Sequence, residues 1–300
     1  MTTISDEQLL QHAARIKDKV LLITGGGNGV GKATALMFAQ HGARVVIGDI
    51  SVGAAQEVVD TIVQHGGHAV CKKCDVTSWD DQVALFQLAL HTFGEIDVVI
   101  PNAGIADTPI MPLQVVDARP VKPSLATMKL NVDAVLYTCS LALHYIRPAA
   151  GDDPGRIKAL ILMGSMTSYQ PIYSNVQYTA SKHAILGMMQ ALGPMCAARG
   201  MRCGSVHPWF MDTQITAQKN IATFIAGWPR LPADRVAAAQ LCIATDPDPR
   251  TSGLPWLMPD AHEVYRLETT QISEGIYRDL NARAGVVAKM KERAWRMARM

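Results

Sequence analysis

The chain has 300 residues, 49% of them hydrophobic and 18% charged, with a formal charge of +2. That is enough apolar material for one large α/β domain, and the near-neutral balance argues against a nucleic-acid binder. No apolar run is long enough to span a bilayer. The polar start, with Asp6, Glu7, Arg15 and Lys17, has no apolar stretch of a signal peptide.

Val20 to Ile23 reads as a first strand, followed by a glycine-rich turn and a helix from Val30 to Gln40 that Gly42 stops. Arg44–Gly48, Ala69–Lys73 and Ile96–Ile100 give three more strands, with helices from Gly53 to His65 and from Asp80 to Phe93 between them. Such alternation predicts a doubly wound parallel sheet of about seven strands, covered by helices on both faces in three α/β/α layers. Ser124 to Ile146 reads as a long helix, apolar on most sides, that lies in the core or in a subunit contact. Ile157–Met163 is a strand. A helix then starts at Ser174, where Ser174 and Gln177 match a capping box. Arg202–Val206 and Leu254–Met258 complete the strands. Residues 1–18 are expected to be a polar segment, 19–258 a single Rossmann-type domain, and 259–300 a helical extension. The six cysteines are scattered, which points to a reducing, cytoplasmic setting. Cys71 and Cys74 could be half a zinc site or a redox pair. They fall in a strand, where positions three apart face opposite sides, and no second pair completes a site, so no metal is expected.

The turn Thr24-Gly25-Gly26-Gly27-Asn28-Gly29-Val30-Gly31 follows a strand and opens a helix. In that context glycines let a pyrophosphate approach the backbone, and the helix N-terminus supplies free N–H groups and a positive dipole end. The spacing of Gly25, Gly29 and Gly31 differs from G-x-G-x-x-G, and glycines alone also suit an ordinary βα turn. Asp49 ends the second strand, where a carboxylate can accept bonds from both adenosine ribose hydroxyls and would repel a 2′-phosphate. No Arg or Lys stands at Ile50 or Ser51 to offset that repulsion, so Asp49 and Ile50 predict NAD over NADP.

Tyr178 and Lys182 are four apart, so on a helix they share one face. A free Tyr has a pKa of about 10, and general-base work near neutral pH needs a depression of roughly 2–3 units. The Lys182 ammonium and a positive nicotinamide would favour the phenolate. Ser165, from a separate strand end, would hold the substrate oxygen. A Tyr-x-x-x-Lys pair alone is commonplace on a solvated helix face, and its weight here comes from the glycine turn and Asp49.

Together these residues resemble the short-chain dehydrogenase/reductase family over about Lys19 to Met258. Asp75-Val76 is similar to the pair that holds the adenine there, Asp75 by its carboxylate and Val76 by its backbone. Asn102-Ala103-Gly104 resembles the segment lining the adenosine ribose. Asn131 matches the helix asparagine that supports the Lys through a water and a proton relay. With Ser165, Tyr178 and Lys182 it completes the family's catalytic tetrad. The resemblance implies that Thr213 bonds the nicotinamide carboxamide. Pro101 stands where the family has an Asn, and Trp209 replaces the usual Gly after Pro208, which bears on the path of the loop. The Asp-type choice of NAD and the context Tyr178 to His183 are similar to the 15-hydroxyprostaglandin dehydrogenase-like branch, which implies a lipophilic secondary alcohol.

The expected lid, about 209–230, gathers Trp209, Phe210, Phe224 and Trp228 with Met211, Ile215, Ile221 and Ile225. It reads either as the wall of an apolar substrate pocket, with Trp209, Phe210 and Phe224 facing the substrate, or as a helix packed on the core. The end of the chain carries Lys289, Lys291, Arg293, Arg296 and Arg299, which fit a solvated helix packing on the lid or a partner subunit better than a membrane contact. The expectation is an NAD-dependent dehydrogenase of an apolar secondary alcohol, assembled as a homodimer or homotetramer. Its alternatives are a ketoreductase working toward reduction and an NAD-binding protein without turnover.

Overall fold

The computed structural model describes residues 1–106, 122–146, 156–172, 175–213, 216–217, 227, 230–260 and 262–268. The first half alternates strictly: β1 (Thr2–Thr3), α1 (Asp6–Leu10), β2 (Val20–Thr24), α2 (Gly29–Gln40), β3 (Arg44–Asp49), α3 (Val52–Gln64), β4 (His68–Lys73), α4 (Trp79–Phe93) and β5 (Val98–Pro101). The second half runs α5 (Ala126–Met128), α6 (Ala134–Tyr145), β6 (Ala159–Met163), α7 (Val176–Ala197), β7 (Arg202–Pro208), α8 (Ala233–Thr245), β8 (Leu254–Met258) and β9 (Tyr265–Arg266).

Among the described residues the sheet has nine strands in the order β1-β9-β8-β7-β6-β5-β2-β3-β4. The seven strands from β2 to β8 are parallel. The count of about seven is corrected by two antiparallel edge strands, β9 on β8 and β1 on β9. Each is two residues long, too short to leave an alternating pattern. The polar start is ordered as well. Ser5 and Gln8 form a capping box on α1, and Leu9, Ala13 and Ile16 are buried. The Arg15 guanidinium donates to the Thr245 carbonyl at the end of α8.

Strands β2, β5 and β6 are apolar on both faces because both faces are covered. Leu21, Ile23, Val45 and Ile47 pack toward α2, α3 and α8, whereas Val20, Leu22 and Val46 pack toward α4, α6 and α7. Local signals set the helix ends. Ser78 caps α4 by accepting from the Asp81 amide, and Gly94 closes the helix in the left-handed conformation.

The expected helix from Ser124 to Ile146 begins at Ala126 and is not uniform. A π-turn occupies Lys129–Asp133 between α5 and α6. The capping box expected at Ser174 lies outside the described residues; α7 starts at Val176, and its N-cap is Asn175. The Gln177 side chain donates through Nε2 to the Ser124 carbonyl, at 2.8 Å. Phe224, Trp228, Ile215, Ile221, Ile225 and the tail 269–300 fall outside the described residues. No helix among the described residues is long and apolar enough to cross a membrane.

Candidate active site

The strand order reverses between β2 and β5, and a crevice opens there at the carboxyl ends of the parallel strands. Residues that follow β2, β3, β5, β6 and β7 converge on it, around a cavity of about 550 Å³.

At one end the chain leaves β2 through Gly25, whose φ of +67° suits glycine. A Cβ on Gly31 would stand 2.0 Å from the Gly25 carbonyl oxygen, so the turn closes on itself only with glycine there. Asn102 holds the turn from the far side of the crevice. Its Nδ2 donates to the carbonyls of Thr24 and Gly25, at 3.1 and 3.0 Å. The side chain of Asn28, the N-cap of α2, makes no capping bond, so the first-turn amides beside Gly29 and Val30 remain available at the cavity wall.

Asp49 is buried at the end of β3. Its Oδ2 accepts from the Gly27 amide at 2.8 Å and its Oδ1 from the Ser51 amide at 2.9 Å. A carboxylate has about four lone-pair sites, so Asp49 is oriented by the backbone and can still accept from a ribose. Ile50 is exposed at the mouth. Asp75 lies nearby, its carboxylate held below the usual range by the amide and the hydroxyl of Thr77. Val76, Ala103 and Gly104 also line this end. The uncapped helix start, the glycine turn and the pre-oriented carboxylate fit a nicotinamide dinucleotide.

At the other end stand Ser165, Tyr178 and Lys182. Lys182 Nζ donates to the Met163 carbonyl at 2.9 Å and lies 5.6 Å from the centre of the Tyr178 ring. Burial pushes its pKa down to about 8. Ser165 follows β6, with Oγ held between the amide and the hydroxyl of Thr167, each at 3.1 Å. Asn131 sits behind these residues in the π-turn, 1% exposed. Its side chain bonds the Ile105 amide (2.9 Å), the Ile105 carbonyl (2.8 Å) and the Ser181 hydroxyl (3.1 Å). Such π-turns recur at functional sites.

Trp209 does not divert the loop after β7, since its amide continues the pairing by donating to the Met258 carbonyl at 2.9 Å. Its ring meets Phe210 edge-on, with centroids 4.8 Å apart, and Phe210 packs with Tyr178 against Ala106. Thr213 lines the cavity near Gly29. Pro101 closes β5, and the β5–β6 pairing involves Val98 and Val99, so its missing N–H is not needed there.

Sequence reasoning missed Ile105, Ala106, Met163, Ile172 and Asn175 in the wall, and His207 beneath it. His207 is fully buried, and burial drives its pKa down to about 3, with Lys182 adding to the shift and the Ser165 carbonyl opposing it. Nδ1 faces the Ser165 carbonyl at 3.2 Å, and a carbonyl can only accept, so Nδ1 carries the proton. The Ser205 hydroxyl then donates to Nε2 at 2.8 Å.

This arrangement has a pH signature. The folded pKa lies below the unfolded one, so between about 3 and 6.5 the unfolded chain binds a proton that the folded chain refuses. His207 therefore lowers stability as pH falls through that window, by up to about 1.4 kcal/mol per pH unit. His207→Asn keeps a donor near the Ser165 carbonyl and removes the titration. Urea unfolding across pH 4–6 should give the variant a shallower slope than the wild type, and equal slopes would refute the assignment.

The family model described as short chain dehydrogenase matches residues 19–223. A cyclohexanol dehydrogenase of Acinetobacter sp. is 34% identical over 68% of this chain and 77% of its own length. A 5'-hydroxyaverantin dehydrogenase of Dothistroma septosporum is 31% identical over 68% and 71%. A short chain dehydrogenase of Burkholderia cenocepacia, solved in complex with NADP, superposes with a TM-score of 0.70 at 25% identity, covering 83% of this chain and 98% of that one. The family match begins just before β2 and runs past Lys182 and Thr213, through the segments that wall the cavity, and on that ground the chain belongs to the short chain dehydrogenase family.

Proposed function

We propose that the protein is an NAD-dependent oxidoreductase interconverting an apolar secondary alcohol and its ketone. The observation that carries this reading is one continuous cavity, with Asp49 at one end, Ser165, Tyr178 and Lys182 at the other, and an apolar wall of Ala106 and Phe210 beside the phenol.

Gly25, Asn28, Gly29, Val30 and Gly31 would cradle the pyrophosphate. Asp49 and Ile50 would hold the adenosine end, with Asp75, Val76, Asn102, Ala103 and Gly104 along its path. Thr213 would bond the carboxamide. Bound NAD supplies the hydride acceptor. Lys182, with one N–H on Met163, has two more to hold the nicotinamide ribose. Ser165 Oγ would fix the substrate oxygen, and Tyr178 would take its proton, then return it in the reverse direction. The Asn131 side chain is engaged by Ile105 and Ser181, so its support of Lys182 would run through the main chain of the π-turn and a water.

The cyclohexanol dehydrogenase relative supports an apolar ring alcohol as the substrate type. The Burkholderia neighbour carries NADP, so the choice of NAD rests on Asp49 and on the absence of a basic residue at Ile50 and Ser51. The test is an alcohol-oxidation assay that follows NADH or NADPH formation from NAD⁺ or NADP⁺ with a panel of secondary alcohols graded by apolar size. The kcat/KM should be higher with NAD⁺ and should rise with apolar bulk. A preference for NADP⁺ refutes the role of Asp49, and a preference for small polar alcohols refutes the apolar pocket.

A further inference from the structure

Asn175 is the N-cap of α7. The side chain of an N-cap asparagine normally accepts a bond from an amide of the first helical turn, yet here it makes none. The residue is 5% exposed and lines the cavity. Its Oδ1 is buried with no hydrogen-bond partner. Buried acceptors are paired in the great majority of cases, and an exception calls for an explanation. The cavity it lines also carries apolar side chains, among them Ile172, Met163, Trp209 and Phe210. Asn175 precedes Tyr178 by three positions, so the two side chains are neighbours on one face of the helix start.

We propose that Asn175 is a specificity residue whose Oδ1 accepts a hydrogen bond from a second hydroxyl of the substrate. The side chain makes no capping bond, and the residue lines the same cavity as Tyr178. The substrate class narrows from an apolar secondary alcohol to one that carries another hydroxyl within a few bonds of the reacting carbon. This deepens the reading of Tyr178 as the proton-transfer group and rests on it.

The experiment compares ring alcohols that differ in donor capacity: cyclohexanol, cyclohexane-1,2-diol, cyclohexane-1,3-diol and 2-methoxycyclohexanol, the last of which has no donor at its second oxygen. Their dissociation constants are measured on the NADH-bound protein by tryptophan fluorescence, and their turnover is measured separately. A diol should bind about tenfold more tightly than the methoxy ether, the difference made by roughly one hydrogen bond. Asn175→Leu should reduce that ratio to about unity, and Asn175→Asp, which keeps an acceptor, should restore most of it. Equal affinities for diol and ether in the wild type overturn the proposal, as does a ratio that survives in Asn175→Leu. So does failure of any ring alcohol to bind. If the binding ratio holds but Tyr178→Phe turns over the diol as fast as the wild type, the proton-transfer reading fails and Asn175 stands as a binding residue.

Discussion

Tyr178→Phe will lower turnover by roughly 10²–10⁴-fold, the usual contribution of a positioned acid–base group, while NADH binding stays within a few-fold of the wild type. The substitution removes one oxygen and keeps the ring that packs with Phe210 against Ala106 and faces Lys182. The groups proposed to hold the adenosine and pyrophosphate belong to other elements, the turns after β2, β3 and β5. Chemistry and cofactor affinity should therefore separate. Single-turnover rates and NADH fluorescence titration on the same preparation measure both, and a variant with a near-normal rate removes Tyr178 from the mechanism.

The neighbouring lysine gives that experiment a second arm. Burial brings Lys182 down to about 8, so below that pH an ammonium lies close to the ring and favours the phenolate. Above it the amine gives no such help. In Lys182→Met the rise of kcat/KM for oxidation should move to higher pH, toward the free phenol value of about 10. A rise at the wild-type pH would show that the cation does not set the protonation of the base.

What the sequence revealed and what it hid follow from the range of the interactions. The alternation of strands and helices was legible because each element carries its own period and its own stop signal, as at Gly42 and Gly94. The glycine turn, Asp49 and the Tyr178–Lys182 spacing were legible because each is a local pattern with a chemical reason. The π-turn at Lys129–Asp133 was not, since one extra residue in a turn barely disturbs the apolar pattern of a long helix. Asn175 was not singled out because residue type alone does not say where a helix begins, and the N-cap follows from the start of α7 at Val176. His207 gave no signal because a single histidine in an apolar run is indistinguishable from any buried one. Its role depends on Ser205 two residues back and on Ser165 just past the end of the adjacent strand. The edge strands β1 and β9 depend on pairing between the two ends of the described chain, where Thr2 meets Arg266.

The frame that aligns these loops is fixed at the opposite ends of the strands, and there the largest loss of stability is expected. Lys158, just before β6, is 2% exposed, and Asp97, just before β5, is 1% exposed. Lys158 Nζ donates to Asp97 Oδ1 at 2.6 Å, to the Ile96 carbonyl at 3.0 Å and to Glu95 Oε2 at 3.3 Å. The other oxygen of Asp97 accepts from the Val20 amide at the start of β2, at 2.8 Å. One ion pair thus ties together the three central strands whose far ends carry Gly25, Asn102 and Ser165. Lys158→Met leaves a buried carboxylate without its cation, which typically costs about 3–5 kcal/mol. For a chain of this size that is a fall in melting temperature on the order of 10 °C. Adding Asp97→Asn removes the stranded charge while an amide oxygen still accepts from Val20, so the double variant should be more stable than Lys158→Met alone. Neither residue lines the cavity, so the rate of the folded single variant at 25 °C should stay close to the wild type. Urea and thermal unfolding of the three proteins decide the matter. A single variant within about 1 kcal/mol of the wild type would mean that water reaches Asp97 or that it takes up a proton, because a dry, unpaired carboxylate cannot be held that cheaply.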